Sequence, residues 1–259
     1  MIQAERHKKI QSELEKNGFV SVSELSERLG ISVSTVRRDL IDLEKMGIAV
    51  RSRGGAGQPG HELTIVAEES SRAARHAEQK QKIGAKAAEL VENSGCIVLD
   101  AGTTTLEVAK RLNPQKPLRV ITDGLKIAYE LRDRENVIVL LTGGILKKDS
   151  NNLYGEFAEN MLSTMHAQIC VMGATGLSRR EGLTKHDIDA LPVRRKMIEI
   201  SHRLICVADS SKFDVTGLVT ICPIERINTL ITDSRISSEY KTALEDVGIE
   251  VLIADSRYP

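Results

Sequence analysis

The stretch DAGTTT, residues 100–105, directly follows the apolar run Cys96-Ile97-Val98-Leu99. It offers a ligand a carboxylate, three hydroxyl groups and backbone N–H groups that a glycine leaves accessible. If a helix begins near Thr104, its positive N-terminal end favours an anion such as a phosphate ester. Threonines before a helix are also typical of a simple N-cap. Alone, this motif leaves both a binding loop and a cap open.

Similar polar turns follow other apolar runs of the same region. They are Thr122-Asp123-Gly124, Thr142-Gly143-Gly144, Gly173-Ala174-Thr175-Gly176 and Asp209-Ser210-Ser211-Lys212. Ligands of open α/β sheets bind beyond the carboxyl ends of the strands, so these turns are expected to form one pocket. Lys212 would balance the charge of a phosphate. The chain has neither a full GxGxxG dinucleotide motif nor the Walker lysine pattern.

Seven apolar runs separated mostly by helical patterns must position these turns. They are CIVLD (96–100), LRVIT (118–122), VIVLLT (137–142), QICVMG (168–173), RLICVAD (203–209), NTLITD (228–233) and IEVLIAD (249–255), after a helix at about 78–92. Strands that are apolar throughout and alternate with helices indicate a mainly parallel sheet covered on both faces. The sequence therefore predicts an α/β domain here.

The first sixty residues have a different pattern. It predicts a helix over 4–17. A second helix begins at Ser21, where Glu24 three residues later completes a capping box. Ser32 caps a third helix, which ends near Met46. Two short helices joined by a tight turn that contains Gly30 match a helix-turn-helix.

The third helix has the features of a DNA-recognition helix. Its predicted apolar face consists of Val33, Val36, Leu40 and Leu43. Ser34 and Arg38 lie opposite that face, and Thr35 and Arg37 flank it. A major groove accepts such a hydroxylic and cationic surface, because arginine pairs with guanine and hydroxyl groups reach phosphates or base edges. Asp39 is expected to orient an arginine or to cap locally. With the capping residue, the predicted DNA contacts on this helix are Ser32, Ser34, Thr35, Arg37 and Arg38.

A basic hairpin is predicted next, in IAVRSRGGAG (48–57). Ile48 to Val50 would form a strand, and Gly54-Gly55 would turn it back. Arg51 and Arg53 would point outward, onto the DNA backbone or into the minor groove. We assign 1–57 to a winged helix-turn-helix domain, 58–77 to a linker and 78–259 to the α/β domain.

Both parts of the chain resemble the DeoR family of bacterial transcription regulators. The N-terminal resemblance rests on Arg6, Ile10 and Leu14 and on SVSELSERLGISVSTVRRDLIDLEKMGIAVRSRGGA. The C-terminal one rests on DAGTTT, VITDGL, LTGG, GATG and VADSSKF, in that order. The family's effector domain is similar to the ribose-5-phosphate isomerase and CoA-transferase fold, and its members typically bind phosphorylated sugars or related metabolites.

The resemblance implies particular effector contacts. Phosphate contacts would come from Gly102 to Thr105, with help from Lys212, and sugar hydroxyl contacts from Asp100 and Asp123. Many relatives carry Asn where this chain has Asp123. The full predicted effector set is Asp100, Gly102, Thr103, Thr104, Thr105, Asp123, Gly143, Gly144, Lys185 and Lys212. Lys185 and its neighbour His186 are expected in a surface loop or in contact with the ligand.

Composition excludes several other classes of protein. The formal net charge is zero, which argues against bulk coating of nucleic acid but permits a local basic patch. The four cysteines form no CxxC pair and are expected to be reduced core residues. The six histidines suggest no metal site. No signal peptide or membrane span is predicted, so a cytoplasmic protein without a cofactor is expected.

Sensing is favoured over catalysis. The similar isomerases carry a DGADE motif after the fourth strand, whereas this chain has Met172-Gly173-Ala174-Thr175-Gly176 and no carboxylate there. Glu181 and Asp187 are nearby in sequence, but nothing in their spacing requires a catalytic role. We therefore predict a non-enzymatic repressor of a carbohydrate catabolic operon that binds double-stranded operator DNA as a homo-oligomer, a dimer or tetramer, under control of a sugar phosphate. The alternatives are a sugar-phosphate isomerase or transferase with an added DNA-binding domain, and a DNA-binding protein with a ligand-free domain.

Overall fold

The computed structural model describes residues 3–17, 19–52, 55–57, 73–146 and 151–254. It divides into two compact units between Arg75 and His76. Each unit has hydrophobic clusters made only from its own residues. The predicted linker residues 58–72, as well as Arg53 and Gly54, lie outside the described residues.

The N-terminal unit is a helix-turn-helix with a small sheet. Its elements are α1 (Gln3–Asn17), β1 (Phe19–Ser21), α2 (Val22–Leu29), α3 (Val33–Lys45), β2 (Val50–Ser52) and β3 (Gly55–Gly57). The strands form an antiparallel sheet in the order β1-β3-β2. Ile10, Leu14, Leu25, Leu40 and Leu43 are buried together. The predicted three helices and basic hairpin are thus confirmed as elements.

Two details of the N-terminal prediction are wrong. Strand β2 begins at Val50 rather than Ile48, because the amide of Ile48 donates to the carbonyl of Leu43 and ends α3. Gly47 permits this ending through its left-handed conformation, with φ of 69°. Val33 is 41% exposed at the start of α3, and Ile31 packs against the core instead.

In the C-terminal unit, each described helix and strand is at most fifteen residues long. In chain order they are α4 (Ala77–Val91), β4 (Cys96–Leu99), α5 (Thr103–Arg111), β5 (Leu118–Thr122), α6 (Leu125–Leu131), β6 (Val137–Leu141), β7 (Ile145–Leu146), β8 (Leu153–Tyr154), α7 (Glu156–Ser163), β9 (Ala167–Gly173), β10 (Gly176–Ser178), β11 (Gly182–Lys185), α8 (Leu191–Glu199), β12 (Ser201–Val207), β13 (Val219–Cys222), β14 (Thr229–Asp233), α9 (Ser238–Glu245) and β15 (Glu250–Ala254).

A parallel sheet in the order β15-β14-β12-β9-β4-β5-β6 forms the centre of this unit. All seven predicted strands are in it, so the predicted parallel α/β architecture is confirmed. The chain runs from β4 outward through β5 to β6 and then returns to β9 on the other side of β4. This reversal between β4 and β9 is the place where parallel sheets open a ligand crevice.

Two smaller antiparallel sheets were not predicted. One has the order β10-β11-β13, and the other is the hairpin of β7 and β8. Their strands are two to four residues long, too short for a clear alternating pattern. They matter for the site, because β11 ends at Lys185 and the hairpin contacts the turn after β5.

Candidate functional site

Asp100 lies at the reversal of strand order, directly after β4, and its side chain is completely buried. Its Oδ2 accepts a hydrogen bond from the amide of Gly173 at the end of β9, over 3.3 Å. Its own amide donates to the carbonyl of Val171. Asp100 therefore connects the two central strands at their carboxyl ends.

Two buried cations face this carboxylate. Lys185 Nζ pairs with Asp100 Oδ2, and Arg194 Nε lies 3.2 Å from Asp100 Oδ1. Burial, assisted by the nearby guanidinium, lowers the pKa of Lys185 despite the favourable charge of Asp100. A carboxylate that is ionised inside the protein needs nearby cations, because burial removes its hydration. Lys185 is a buried strand residue, so the expectation of a surface loop is wrong for it; His186 beside it is exposed.

Arg194 also reaches Asp187, which sequence reasoning had considered as a catalytic carboxylate. Its Nη1 donates to the carbonyl of Asp187 over 3.2 Å, and its Nη2 lies 3.8 Å from the Asp187 carboxylate. Arg194 was not predicted as a site residue. One signal was present in the sequence: Arg194 is on the face of α8 that also carries buried Ile198, four residues on.

Asp123 is a second buried carboxylate, directly after the neighbouring strand β5. Its Oδ1 accepts from the amide of Ala101 over 2.8 Å. Its Oδ2 is buried without a hydrogen-bond partner in the described part of the chain. Burial and then the negative charge of Asp100 raise the pKa of Asp123 to about 6. A hydroxyl group that donates to this oxygen would satisfy it, whereas protonation would remove the buried charge.

The threonines of DAGTTT form the first turn of α5. The N-cap residue is Gly102, which has no side chain to cap the helix. Thr105 Oγ1 donates to the carbonyl of Gly102 over 3.0 Å instead of accepting from an amide. The alternative of a threonine N-cap is therefore wrong. Thr103 is half-buried and Thr104 buried, and the first-turn amides of a helix have no intrahelical partner.

Gly143 and Gly144 turn the chain from β6 into the β7–β8 hairpin. Both have positive φ, of 67° and 100°. A β-carbon on Gly144 would lie 2.5 Å from the carbonyl oxygen of Tyr154. The hairpin in turn contacts the Asp123 turn, because the amide of Leu153 donates to the carbonyl of Asp123 over 2.8 Å. These glycines thus shape the hairpin behind Asp123.

Lys212 ends a short 3-10 helix after β12. Two aspartates hold this turn: Asp209 Oδ1 accepts from the amide of Ser211 over 3.1 Å, and Asp233 Oδ2 from that of Ser210 over 2.8 Å. Asp209 Oδ2 is buried without a hydrogen-bond partner among the described residues.

The structure brings some predicted effector residues together and separates others. Asp100 and Asp123 directly follow the adjacent strands β4 and β5. Helix α5 begins three residues after Asp100, and Lys185 contacts Asp100. With about 4.8 Å between strands, the turn after β12 lies ~10 Å to one side of β4, and the turn after β6 lies ~10 Å to the other side. Lys212 can reach inward with its side chain, whereas Gly143 and Gly144 have none. All ten effector assignments remain predictions.

The predicted DNA contacts lie mostly on the exposed side of α3. Ser34, Arg37 and Arg38 are exposed, and Thr35 is half-buried. Ser32 caps the helix by accepting from the amide of Thr35 over 3.3 Å, as predicted. Arg51 lies in β2, but its side chain and all of Arg53 lie outside what the structure describes.

Asp39 orients an arginine, as predicted. Its carboxylate is 1% exposed and accepts from Arg6 Nε over 2.6 Å and Arg6 Nη2 over 2.8 Å. The Arg6 hydrogen bonds lower the pKa of Asp39. This paired contact joins α1 to the inner face of α3.

Other predicted properties concern the whole chain. Cys170, Cys206 and Cys222 are buried and free, as expected, whereas Cys96 is only half-buried. No group of three potential metal ligands occurs in the described ranges. Within these ranges, none of the helices combines the length and hydropathy that crossing a membrane requires.

Comparisons with known proteins give the family. Residues 6–60 match the model of the DeoR-like helix-turn-helix domain, and residues 75–234 match that of the DeoR C-terminal sensor domain. The HTH-type transcriptional regulator GolR of Listeria innocua serovar 6a is 36% identical over 260 residues, which cover 98% of this chain and 100% of that protein. A putative aga operon transcriptional repressor of Escherichia coli O157:H7 is 33% identical, with 96% and 93% covered.

A third relative is the glycerol-3-phosphate regulon repressor of Escherichia coli K12, 30% identical with 90% and 92% covered. Among solved structures, ribose 5-phosphate isomerase A from Neisseria gonorrhoeae overlaps 54% of each chain at a TM-score of 0.36 and 16% identity. The two family models and the near full-length relatives agree with the two units of the structure. The chain belongs to the DeoR family of transcription regulators, with a DNA-binding helix-turn-helix followed by the family's sensor domain.

Proposed function

We propose that this regulator represses an operon of carbohydrate catabolism and that a phosphorylated sugar controls its binding to the operator. The observation that supports the sensor part of the proposal is the buried cluster at the start of α5. There Asp123 Oδ2 has no hydrogen-bond partner among the described residues, and no side chain caps the helix at Gly102. The names of the aga and glycerol-3-phosphate repressors support the same class of regulated genes. Such a repressor would act in the cytoplasm, where the chromosome is.

The DNA-binding half of the proposal assigns base contacts to the exposed side of α3. Arg37 and Arg38 would pair with bases in the major groove, and Ser32, Ser34 and Thr35 with phosphates or base edges. Arg51 and Arg53 would contact the backbone or minor groove. This division follows from the exposed hydroxyl and guanidinium groups at the N-terminal end of the helix.

Replacing Arg38 by alanine tests this half. If Arg38 reads a base, Arg38→Ala weakens operator binding by ~1–3 kcal/mol and relaxes specificity at one position. Lys45→Ala, an exposed cation in the last turn of the same helix, is the matched control and should change affinity little. A titration at fixed salt compares them. Equal affinities of Arg38→Ala and wild type would remove the base-reading role.

The sensor half places the phosphate of the ligand at the first turn of α5 and a sugar hydroxyl at Asp123. The turn offers free amides and the polarity of a helix N-terminus, and Thr103 and Thr104 add hydroxyl groups. Asp100 is already paired with Lys185 and Arg194. Its main contribution in this proposal is therefore to hold these cations at the edge of the pocket.

A thermal-shift panel of sugar phosphates tests the sensor half. A ligand at 100 times its Kd stabilises the native state by about 2.7 kcal/mol, and Thr104→Val should lose that shift while operator binding persists. Thr216→Val, an exposed threonine, serves as control. Equal shifts for wild type and Thr104→Val would contradict the phosphate assignment. No shift with any member of the panel would favour the alternative of a ligand-free domain.

We further propose that the pocket does not catalyse isomerisation. The turn Met172 to Gly176 carries no carboxylate, and Asp187 is next to Arg194 rather than unpaired. An aldose–ketose isomerase needs a carboxylate base at the sugar carbon. The purified protein should therefore leave ribose 5-phosphate unchanged in a coupled assay, and turnover would establish the isomerase alternative.

A further inference from the structure

The contact between α1 and α3 combines a directional ion pair with an apolar interface. Val36, Leu40 and Leu43 bury the inner face of α3 in the core of the N-terminal unit. Apolar burial is not directional, so these contacts do not by themselves fix one rotation of the helix about its axis. Arg6 adds direction, because its Nε lies 2.6 Å from one carboxylate oxygen of Asp39 and its Nη2 lies 2.8 Å from the other.

Two further residues of α1 contact the same side of α3. His7 Nε2 lies 3.4 Å from Asp39 Oδ1, and Gln3 Nε2 donates to Asp42 Oδ2 over 2.9 Å. Since Asp39 and Asp42 are three residues apart, they share one face of α3, and the start of α1 lies along that face. Asp39 is buried whereas Asp42 is partly exposed. The contact of Arg6 with Asp39 is therefore the enclosed one of the two.

The residues proposed to face DNA are fixed to this contact through the helix itself. Arg38 directly precedes Asp39, and Thr35 lies four residues before it, about one turn away. Rotating α3 about its axis at Asp39 therefore moves the Arg38 guanidinium across a base edge rather than toward it. A buried ion pair adds little net stability, but it can select one arrangement of a structure.

We propose that Arg6 is a positioning residue for operator recognition: through Asp39 it fixes the rotation of α3 at which the exposed arginines reach base edges. This inference rests on the proposed base-reading role of α3. If the pair only stabilised the unit, weakening it would reduce binding to every DNA sequence alike. A positioning pair instead maintains the preference for the operator over other DNA, because phosphate contacts carry no sequence information directly.

The ratio of the dissociation constants of the full chain for two DNA duplexes measures this preference. The operator duplex is selected with the wild-type protein from a randomised pool, the other is an unrelated duplex of the same length, and both are titrated at the same salt concentration. Arg6→Lys keeps the charge but cannot form two parallel bonds to a carboxylate. Since a bidentate arginine–base pair discriminates between bases by about 5- to 150-fold, Arg6→Lys should lower the preference for the operator by about fivefold or more. Its affinity for the unrelated duplex should stay near that of the wild type.

Arg28→Lys is the matched control. Arg28 pairs with Glu13 and so joins α2 rather than α3 to the first helix, and its substitution should keep the wild-type preference. Asp39→Asn is a second variant and should lower the preference as Arg6→Lys does. Adding Arg6→Lys to it should have little further effect, because both changes break the same contact. Circular dichroism first establishes that each variant is folded.

The outcomes separate this proposal from the proposed function. An unchanged preference in Arg6→Lys and Asp39→Asn, or an equal fall in Arg28→Lys, would overturn the positioning role. If Arg38→Ala lowers the preference in the same titrations while Arg6→Lys does not, base reading by α3 stands and only the positioning role is lost. A fall in Arg6→Lys without one in Arg38→Ala keeps the positioning role and assigns base reading to other residues of α3. A pool that yields no preferred sequence would contradict both proposals.

Discussion

At the scale of single residues, Asp100 organises the candidate site through charge. One carboxylate without solvent contact holds a strand amide, a lysine and an arginine around it. Removing one partner of a buried pair is costly, because the remaining charge is desolvated. Together with Asp123, the cluster contains two carboxylates and two cations. In the proposed function, the charge of a phosphate is therefore balanced by the α5 amides, the threonine hydroxyl groups and Lys212 rather than by Lys185 and Arg194.

The raised pKa of Asp123 makes the free energy of unfolding depend on pH. Its native pKa of about 6 is above the ~3.9 of an exposed aspartate. A raised native pKa means that the folded protein loses stability as pH rises from ~4 to above 6, because the native state must then hold an unfavourable charge. Asp123→Asn keeps the oxygen that accepts from Ala101 and removes this charge.

We expect Asp123→Asn to be more stable than wild type at pH 7.5, by on the order of 2 kcal/mol. The difference should vanish near pH 3, where the carboxyl group is protonated in both states because the pH is below both pKa values. Urea unfolding at the two pH values measures it. Asp246→Asn, at an exposed position after α9, should show no such pH-dependent difference. A constant difference for Asp123→Asn at both pH values would contradict the raised pKa.

Sequence reasoning found some of these residues and missed one. Asp100 and Asp123 were predicted because each directly follows an apolar strand, and Lys212 because it lies in the polar turn after another. Arg194 was missed because an arginine in a charged helical segment usually faces water. Only the topology shows that α8 brings it to the end of β4. The unpaired oxygen of Asp123 is likewise a property of packing rather than of sequence.

At the scale of elements, the sequence predicts a strand or helix when the segment is long and its buried residues follow a regular pattern. The seven strands of the main sheet were predictable because each has four or more residues, nearly all apolar, between turn signals. Helix α3 was predictable from its cap and its apolar spacing. Strands β7 and β8 have only two residues each, and β10 and β11 each begin with a glycine. They position Lys185 and support the Asp123 turn, so the sequence predicted the turns that follow the main-sheet strands but not the short strands that surround them.

The β7–β8 hairpin provides a test at this scale. Gly144→Ala places a β-carbon against the Tyr154 carbonyl oxygen, at a separation that requires the backbone to shift. We expect faster hydrogen exchange at the amides of Leu125 and Leu153, because the shift loosens their bonds to the hairpin and the Asp123 turn. Mass spectrometry of the full chain measures the exchange.

Gly143→Ala is the matched control. Gly143 also has positive φ but nothing within 4 Å of the added carbon, so its cost is about 1 kcal/mol of backbone strain. Exchange at Leu125 and Leu153 should change much less. Equal exchange in the two variants would show that the close contact with Tyr154 does not hold the hairpin.

At the scale of the whole molecule, the two units have separate cores. The N-terminal cluster contains only residues from Ile10 to Ala56, and the two larger clusters contain only residues from Ile83 onward. Multidomain proteins with separate cores need not unfold in one step. Calorimetry of the full chain should therefore show two transitions.

Two core substitutions assign these transitions. Leu40→Ala and Leu99→Ala each remove a buried leucine side chain, at a cost of ~2–5 kcal/mol. Leu40→Ala should lower the melting temperature of the DNA-binding unit alone, and Leu99→Ala that of the sensor unit alone. Each variant is the control for the other, since the chemical change is identical. If either substitution moves both transitions together, the units are one cooperative structure.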